Sequence, residues 1–266
     1  MRYFFHIAYN GSAYRGWQKL PQHNSVQVVI EAALSSILKN KTEIVGCGRT
    51  DSRVHAAQFF FHADLDTWDT DLTFRLNKNL PDDIAIFDVI PMEGSPHARL
   101  DAIERTYNYF IHTYKEPFLT GLSSPYILDN LRLDDMKQAV SLLSRYDDYR
   151  AFCKNPAIHR TTICKVTKAN LYTDDLGKNL RFEISANRFL SGMIRIIVGR
   201  LLAIAKGKLS IDEFENMLIT KTSHVPIVRA YPQGLFLSKV TYPFLDLPCK
   251  SALLNSMMQG ERWVLL

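Results

Sequence analysis

The chain has 266 residues, a hydrophobic share of 47%, a charged share of 22% and a formal net charge of +5. That balance excludes a disordered or collagen-like chain and fits one large or two ordinary domains. Four cysteines without a C-x-x-C pair exclude a disulfide framework or a zinc ribbon, and no charge-free apolar run nears the ~20 residues of a membrane span.

In chain order, Arg2 to Tyr9 is aromatic-rich and reads as a strand that starts with no signal-peptide pattern before it. Asn10-Gly11-Ser12 is a turn. Tyr14-Arg15-Gly16-Trp17-Gln18 mixes aromatic and basic residues. That suits RNA contact through stacking and phosphate pairing, or a hydrophobic corner with an outward arginine. Apolar residues from Val26 to Leu38 recur at helical spacing, so a helix is expected over Ser25 to Lys39. Glu43 to Cys47 and Ala56 to Ala63 read as strands. Asp64, Asp66, Asp69 and Asp71 lack the glycine and terminal glutamate of a calcium loop and are expected at the surface or at a helix cap. A helix is expected over Leu72 to Asn79 and a strand over Ile84 to Ile90.

Pro91 to Pro96 is rich in proline and glycine and is taken as a boundary. The expected divisions are an N-terminal domain over 1–96, a C-terminal domain over 97–247 and a tail over 248–266. Arg105 to His112 alternates as a strand, with Tyr107 and Tyr109 on one face. A helix is expected over Leu133 to Tyr146, capped by Asp134. A hairpin is expected from Ile163 to Ser185, turning at Asp174 to Gly177. A helix over Arg188 to Ala205, capped by Asn187, is apolar nearly all round. Such a helix is buried, so Arg195 within it needs an anionic partner or an exit to a cleft. Ser210 to Glu213 is a capping box for a helix to Thr220, and Leu235 to Val240 is a last strand.

Between the second and third strands lies Gly48-Arg49-Thr50-Asp51-Ser52-Arg53-Val54-His55-Ala56. One carboxylate sits between two guanidinium groups on a polar loop held by apolar flanks. The pattern fits a nucleophile or base on a rigid scaffold, or a surface turn with an ion pair. Both halves of the chain run strand, helix, strand pair, helix, strand. The expected fold is α+β: two ferredoxin-like halves forming a continuous antiparallel sheet with helices on one face.

The loop resembles the G-R-T-D-x-G-V-H-A signature of the TruA family of tRNA pseudouridine synthases. Further blocks follow in family order. Tyr9 to Gln18 resembles Y-D-G-x-x-Y-x-G-W-Q, and Ser25-Val26-Gln27 resembles S-V-Q. Asn79 to Ile84 resembles N-L-P-x-D-I, His97-Ala98-Arg99 resembles H-A-R, and Arg105 to Tyr109 resembles R-x-Y-x-Y. The stretch from Ala186 to Gly199 resembles the family's A-x-x-F-x-x-x-M-V-R-x-I-V-G helix, and Gly234-Leu235 resembles its G-L. The resemblance implies a cytoplasmic homodimer that isomerises uridine to pseudouridine in the tRNA anticodon stem-loop without cofactor or metal. It implies that Asp51 is catalytic, that Arg49 holds the flipped nucleotide, that Tyr107 stacks on the target base, that Arg195 pairs with Asp51 and that Leu235 packs against the base. Arg53 and His55, on the same loop, are counted with the substrate-binding residues.

Two departures stand out. Arg53 occupies the signature's glycine position, where a positive φ would strain it and where it could add a phosphate contact. Ser191-Gly192 stands where bulkier polar residues occur. A non-catalytic tRNA-binding protein or chaperone on the same scaffold is the alternative. An aspartate-nucleophile hydrolase would want a second carboxylate or a metal motif, and none is seen.

Overall fold

A computed structural model describes residues 1–66, 70–258 and 263–266. In chain order the strands and helices are β1 (Arg2–Tyr9), α1 (Val26–Leu38), β2 (Val45–Gly46), β3 (His55–Asp64), α2 (Leu72–Asn79), β4 (Ile84–Pro91), β5 (Glu104–His112), β6 (Ser124–Pro125), α3 (Leu133–Leu142), β7 (Val166–Thr173), β8 (Asn179–Ala186), α4 (Met193–Ala205), α5 (Ile211–Thr220), β9 (Leu235–Thr241), α6 (Ala252–Met258) and β10 (Val264–Leu265). The protein is therefore mixed α and β. Its sheet pairings are mostly antiparallel. Among the described residues no helix is long and apolar enough to cross a membrane.

The chain forms two units, one of Met1–Arg105 with Phe236–Met257 and the other of Thr106–Leu235 with Met258–Leu266. In the first, the strand order is β9-β3-β1-β4, with β2 beside β3. β1 lies antiparallel to both β3 and β4, whereas β3 and β9 run parallel over His55↔Phe236 and Ala56↔Leu237. β1 and β3 are buried along nearly their whole length because alternate residues on both faces are apolar or aromatic. Phe5 stacks on Phe61 with centroids 4.5 Å apart, and Trp17 lies 4.1 Å from Phe59. Each such buried aromatic pair contributes packing beyond its buried area, about 1 kcal/mol. α1 packs against α2, and α2 packs against β4. Ser25 caps α1 by accepting from the Val28 N–H.

In the second unit the order is β10-β7-β8-β5, with β6 beside β5. The β7–β8 hairpin turns on Asp174. Its carboxylate accepts from the N–H groups of Lys178 and Asn179, while Gly177 takes a positive φ of 67°. α3 packs against α4, α5 and β7.

Three expected helix starts resolve differently. The α5 capping box forms in full, with Ser210 and Glu213 bonding reciprocally. Asp134 lies in the first turn of α3, and the cap position is held by Arg132 without a side-chain bond. Asn187 does not cap α4. Its side chain accepts from the Lys165 N–H at 2.8 Å and its own N–H donates back to Lys165 at 3.2 Å, which ties it to the chain entering β7. The helix begins five residues later than expected, at Met193, after Gly192 in the left-handed region at φ 70°. The expected strand over Glu43 to Cys47 pairs only at Val45–Gly46. Of the four aspartates between 64 and 71, Asp64 pairs with Arg2 at 2.8 Å and Asp71 precedes α2 without a side-chain cap bond, while Asp69 lies outside the described residues.

Candidate active site

The polar loop between β2 and β3 is shaped by the segment that follows β1. Tyr9 and Thr50 join hydroxyl to hydroxyl at 2.9 Å in a buried position. The Gly11 N–H donates to Nδ1 of His55 at 3.1 Å, and the Trp17 N–H donates to the Thr50 carbonyl at 3.3 Å. The Tyr14 carbonyl accepts from the Arg53 N–H at 3.1 Å and from the Ser52 hydroxyl at 3.4 Å. Two glycines permit this closeness. A Cβ on Gly11 would lie 2.0 Å from the Val54 carbonyl oxygen, and one on Gly16 would lie 2.3 Å from that of Thr50. Gly16 also has φ 94°. The close approach of two backbones is the physical reason for glycine at both positions.

These contacts decide the reading of the Tyr14–Gln18 stretch. Tyr14 and Trp17 are buried, so the aromatics make a hydrophobic corner beneath the loop, and Arg15 alone of the expected RNA-contacting residues points out fully. Tyr14 also donates to Asp83 at 2.5 Å. Burial, with that carboxylate as a further cause, raises its phenol well above the ordinary value. The corner is scaffold, and the loop it carries is the exposed surface.

On that scaffold the loop turns between Asp51 and Val54, whose N–H donates to the Asp51 carbonyl at 3.2 Å. Arg53 is third in the turn with φ 65°, and Ser52 has no positive φ, which is the type II pattern. The condition raised by the glycine of the resembled signature is thus met: an arginine stands in the left-handed region. Asp51 is partly exposed, and Arg49 and Arg53 are exposed. His55 is 1% exposed, and besides accepting from Gly11 its ring stacks on Phe236 at 4.5 Å. It anchors the end of the loop.

The start of the loop is fixed by a residue whose role sequence reasoning missed. The Arg105 guanidinium donates to the carbonyls of Ala102 at 2.7 Å, Arg99 at 2.8 Å and Cys47 at 2.9 Å. Its planar fork reaches three acceptors that a lysine could not satisfy in the same geometry. The only signal in the sequence was its place in the R-x-Y-x-Y block. Burial pushes the neighbouring Cys47 thiol up to about 11, against the smaller pulls of the Phe60 N–H and the Arg105 charge, which makes it an inert core thiol.

Tyr107, Arg195 and Leu235 belong to the second unit. Tyr107 is partly exposed on β5, and its ring meets Phe189 edge-on at 5.2 Å. Arg195 is partly exposed on α4. Its Nε donates to the Ala230 carbonyl at 2.8 Å, and the Ala230 N–H returns a bond of 2.8 Å to the Arg195 carbonyl. One turn on, a Cβ at Gly199 would lie 2.3 Å from the Val228 carbonyl oxygen, so the 228–230 segment runs tight against this helix face and fixes the arginine stem. Leu235 opens β9 and is buried. The preceding Gly234 lies so close to β5 and β6 that a Cβ would meet the Phe110 carbonyl oxygen at 2.4 Å and the Ser124 hydroxyl at 2.6 Å.

Comparison with known proteins agrees with these motifs. A family model described as tRNA pseudouridine synthase matches residues 145–243. A tRNA pseudouridine synthase A of Porphyromonas gingivalis is 40% identical over 247 residues, covering 91% of this chain and 97% of that one. One from Bacteroides thetaiotaomicron is 36% identical over 266 residues, covering 97% and 98%. A more distant one from Shewanella piezotolerans is 33% identical, covering 91% and 94%.

Proposed function

Since the chain belongs to the TruA family of tRNA pseudouridine synthases and is therefore an isomerase, we propose that it converts uridine to pseudouridine in the anticodon stem-loop of tRNA, with Asp51 as the catalytic carboxylate. The observation that carries this reading is the presentation of Asp51. It is partly exposed on a tight turn whose backbone is braced from below by Tyr9, Gly11, Tyr14 and Trp17. A backbone so held fixes the point from which the carboxylate is presented, which favours a reaction at a sugar carbon.

The reaction detaches uracil from C1′ at N1, turns it, and rejoins it through C5. An aspartate carboxylate can attack C1′ to form a covalent sugar ester, or remove the 2′ proton to give a glycal. On either route C5 gives up its proton to solvent and N1, freed from C1′, takes one up, so the product is an isomer and no net redox change is needed. The target must first leave the helical stack, at a cost of a few kcal/mol. By the motif resemblance, Arg49 holds the extruded nucleotide, Tyr107 stacks on its base and handles a proton, Arg195 pairs with Asp51, and Leu235 packs against the base. His55 serves by positioning the loop, because its ring is buried against Phe236 and Gly11.

Our reading of the fold is two ferredoxin-like halves. Of the assembly and setting, it is a cytoplasmic homodimer that works on tRNA without cofactor or metal. The test is to incubate the purified protein with unmodified tRNA and map the product, with pseudouridine expected at about positions 38–40, where an extruded base is needed. Tight tRNA binding with no pseudouridine in single turnover would favour the non-catalytic alternative.

A further inference from the structure

The turn that carries Asp51 holds a residue in the wrong backbone conformation for its type. Arg53 has φ 65°, a region that glycine enters freely, that asparagine tolerates and that an arginine enters only with strain. The conformation is imposed from outside. The Arg53 N–H is held by the Tyr14 carbonyl at 3.1 Å, and the next N–H closes the turn onto Asp51 at 3.2 Å. Strain of this kind persists where the surroundings over-determine it, and it clusters at sites of function.

Among the described residues no side-chain contact of Arg53 offsets the strain. The Arg53 side chain is exposed and has no hydrogen bond, ion pair or ring contact among the described residues. The two segments that form and brace the turn are poor in acid, and Asp83 behind them is engaged by the Tyr14 hydroxyl at 2.5 Å. Between residues 9 and 19 and between 44 and 63, Asp51 is the only acidic residue, whereas Arg15, Lys19, Arg49 and Arg53 are basic. Lys19 is engaged with Glu31 at 2.9 Å, which leaves three exposed arginines around the turn. An exposed guanidinium on a rigid turn, with no side-chain partner among the described residues and two further exposed arginines on the segments that form and brace the turn, is suited to a phosphate diester.

We propose that Arg53 is a phosphate contact for the RNA strand entering at Asp51, retained at a position whose backbone favours glycine or asparagine. The proposal rests on the tRNA reading above and deepens it, by naming a residue that trades folding stability for substrate affinity. Stability and affinity should then move in opposite directions on substitution.

The experiment uses the full chain and an unmodified tRNA transcript, with binding measured from roughly 50 to 300 mM salt and thermal melting recorded for each variant. Arg53→Asn removes the charge and relieves the strain. Its melting temperature should rise by about 2–4 °C, its affinity at low salt should fall roughly 5- to 20-fold, and its salt slope should be shallower by about 1. Arg53→Lys keeps both charge and strain, and should bind within about 3-fold of the wild type with an unchanged slope. Arg53→Gly should bind as weakly as Arg53→Asn. The proposal is overturned if Arg53→Asn binds with wild-type affinity and slope, or if Arg53→Lys loses as much as Arg53→Asn. Wild-type binding separates the two levels: a wild-type chain that does not bind tRNA overturns the proposed function and the Arg53 contact together, whereas unchanged affinity and slope in Arg53→Asn beside a wild type that binds overturn the Arg53 contact alone.

Discussion

Tyr9 and Thr50 share a buried hydroxyl–hydroxyl bond of 2.9 Å, which joins the last residue of β1 to the residue before Asp51. It ties the sheet to the residue that precedes the proposed catalytic carboxylate. Tyr9→Phe would leave the Thr50 hydroxyl short of a buried partner. The expected cost is about 1–3 kcal/mol in chemical denaturation. Because a small displacement of a reacting group is costly, pseudouridine formation in single turnover should also fall, roughly 10- to 100-fold, with tRNA affinity changed much less. A variant with wild-type turnover would show that this bond does not position the loop.

Gly16 has no room for a side chain. A Cβ would lie 2.3 Å from the Thr50 carbonyl oxygen and 3.1 Å from the Asp51 carbonyl carbon, at a φ of 94°. Gly16→Ala therefore adds a clash and backbone strain, for about 3 kcal/mol or more of lost stability. The clash is with the backbone of the loop itself, so the fraction that still folds should be poorly active. Gly48 is the control on the same loop. A Cβ there meets nothing within 4 Å, so Gly48→Ala should be far milder in urea melts.

Arg105 clamps the carbonyls of Cys47, Arg99 and Ala102. Arg105→Lys keeps the charge and loses the fork. It should lower the denaturation midpoint by an amount equivalent to about 1–3 kcal/mol, with an unchanged denaturant slope. A lysine variant as stable as the wild type would mean that charge, and not hydrogen-bond geometry, holds the start of the loop.

His62 gives the first unit a dependence on acid. Its Nδ1 accepts from the Ala98 N–H at 3.1 Å, which requires that nitrogen to be unprotonated. Burial first, then the Arg2 charge and His97, push its pKa from 6.5 down to about 4. The folded value lies below the unfolded one, so the unfolded chain takes up the proton first. The stability is present above pH 6.5 and is lost as pH falls toward 4. The loss across that window is at most roughly 3 kcal/mol. Melting followed from neutral to acid pH should show this fall, and His62→Asn should flatten it. An equal slope in both proteins would place the acid sensitivity elsewhere.

Much of the fold follows from local chemistry that the sequence displays. α2 runs from Leu72 to Asn79, ended by the chain direction that Pro81 imposes, and the reciprocal Ser210–Glu213 box starts α5. Local chemistry misleads where a side chain has a distant use. Asn187 looks like a helix cap, but its amide is taken by Lys165, 22 residues earlier in the chain. α6 starts behind Ser251, whose hydroxyl accepts from the Leu254 N–H at 3.4 Å, a short cap signal that sequence reasoning passed over. At the site, the carboxylate between two arginines was visible as a charge pattern. The cradle was not, because Tyr14 and Trp17 beside Arg15 look like an RNA-contacting surface until the sheet closes over them. Their role depends on pairings between residues about 40 positions apart, which composition and spacing do not encode.

The most direct measurement is of Asp51→Asn, a change of one oxygen to an amide at nearly constant shape. Release of tritium from C5-labelled uridine in tRNA should be abolished in single turnover, while tRNA affinity stays near that of the wild type. Pseudouridine formed by the Asp51→Asn protein at a rate close to wild type would contradict the assignment of the catalytic carboxylate.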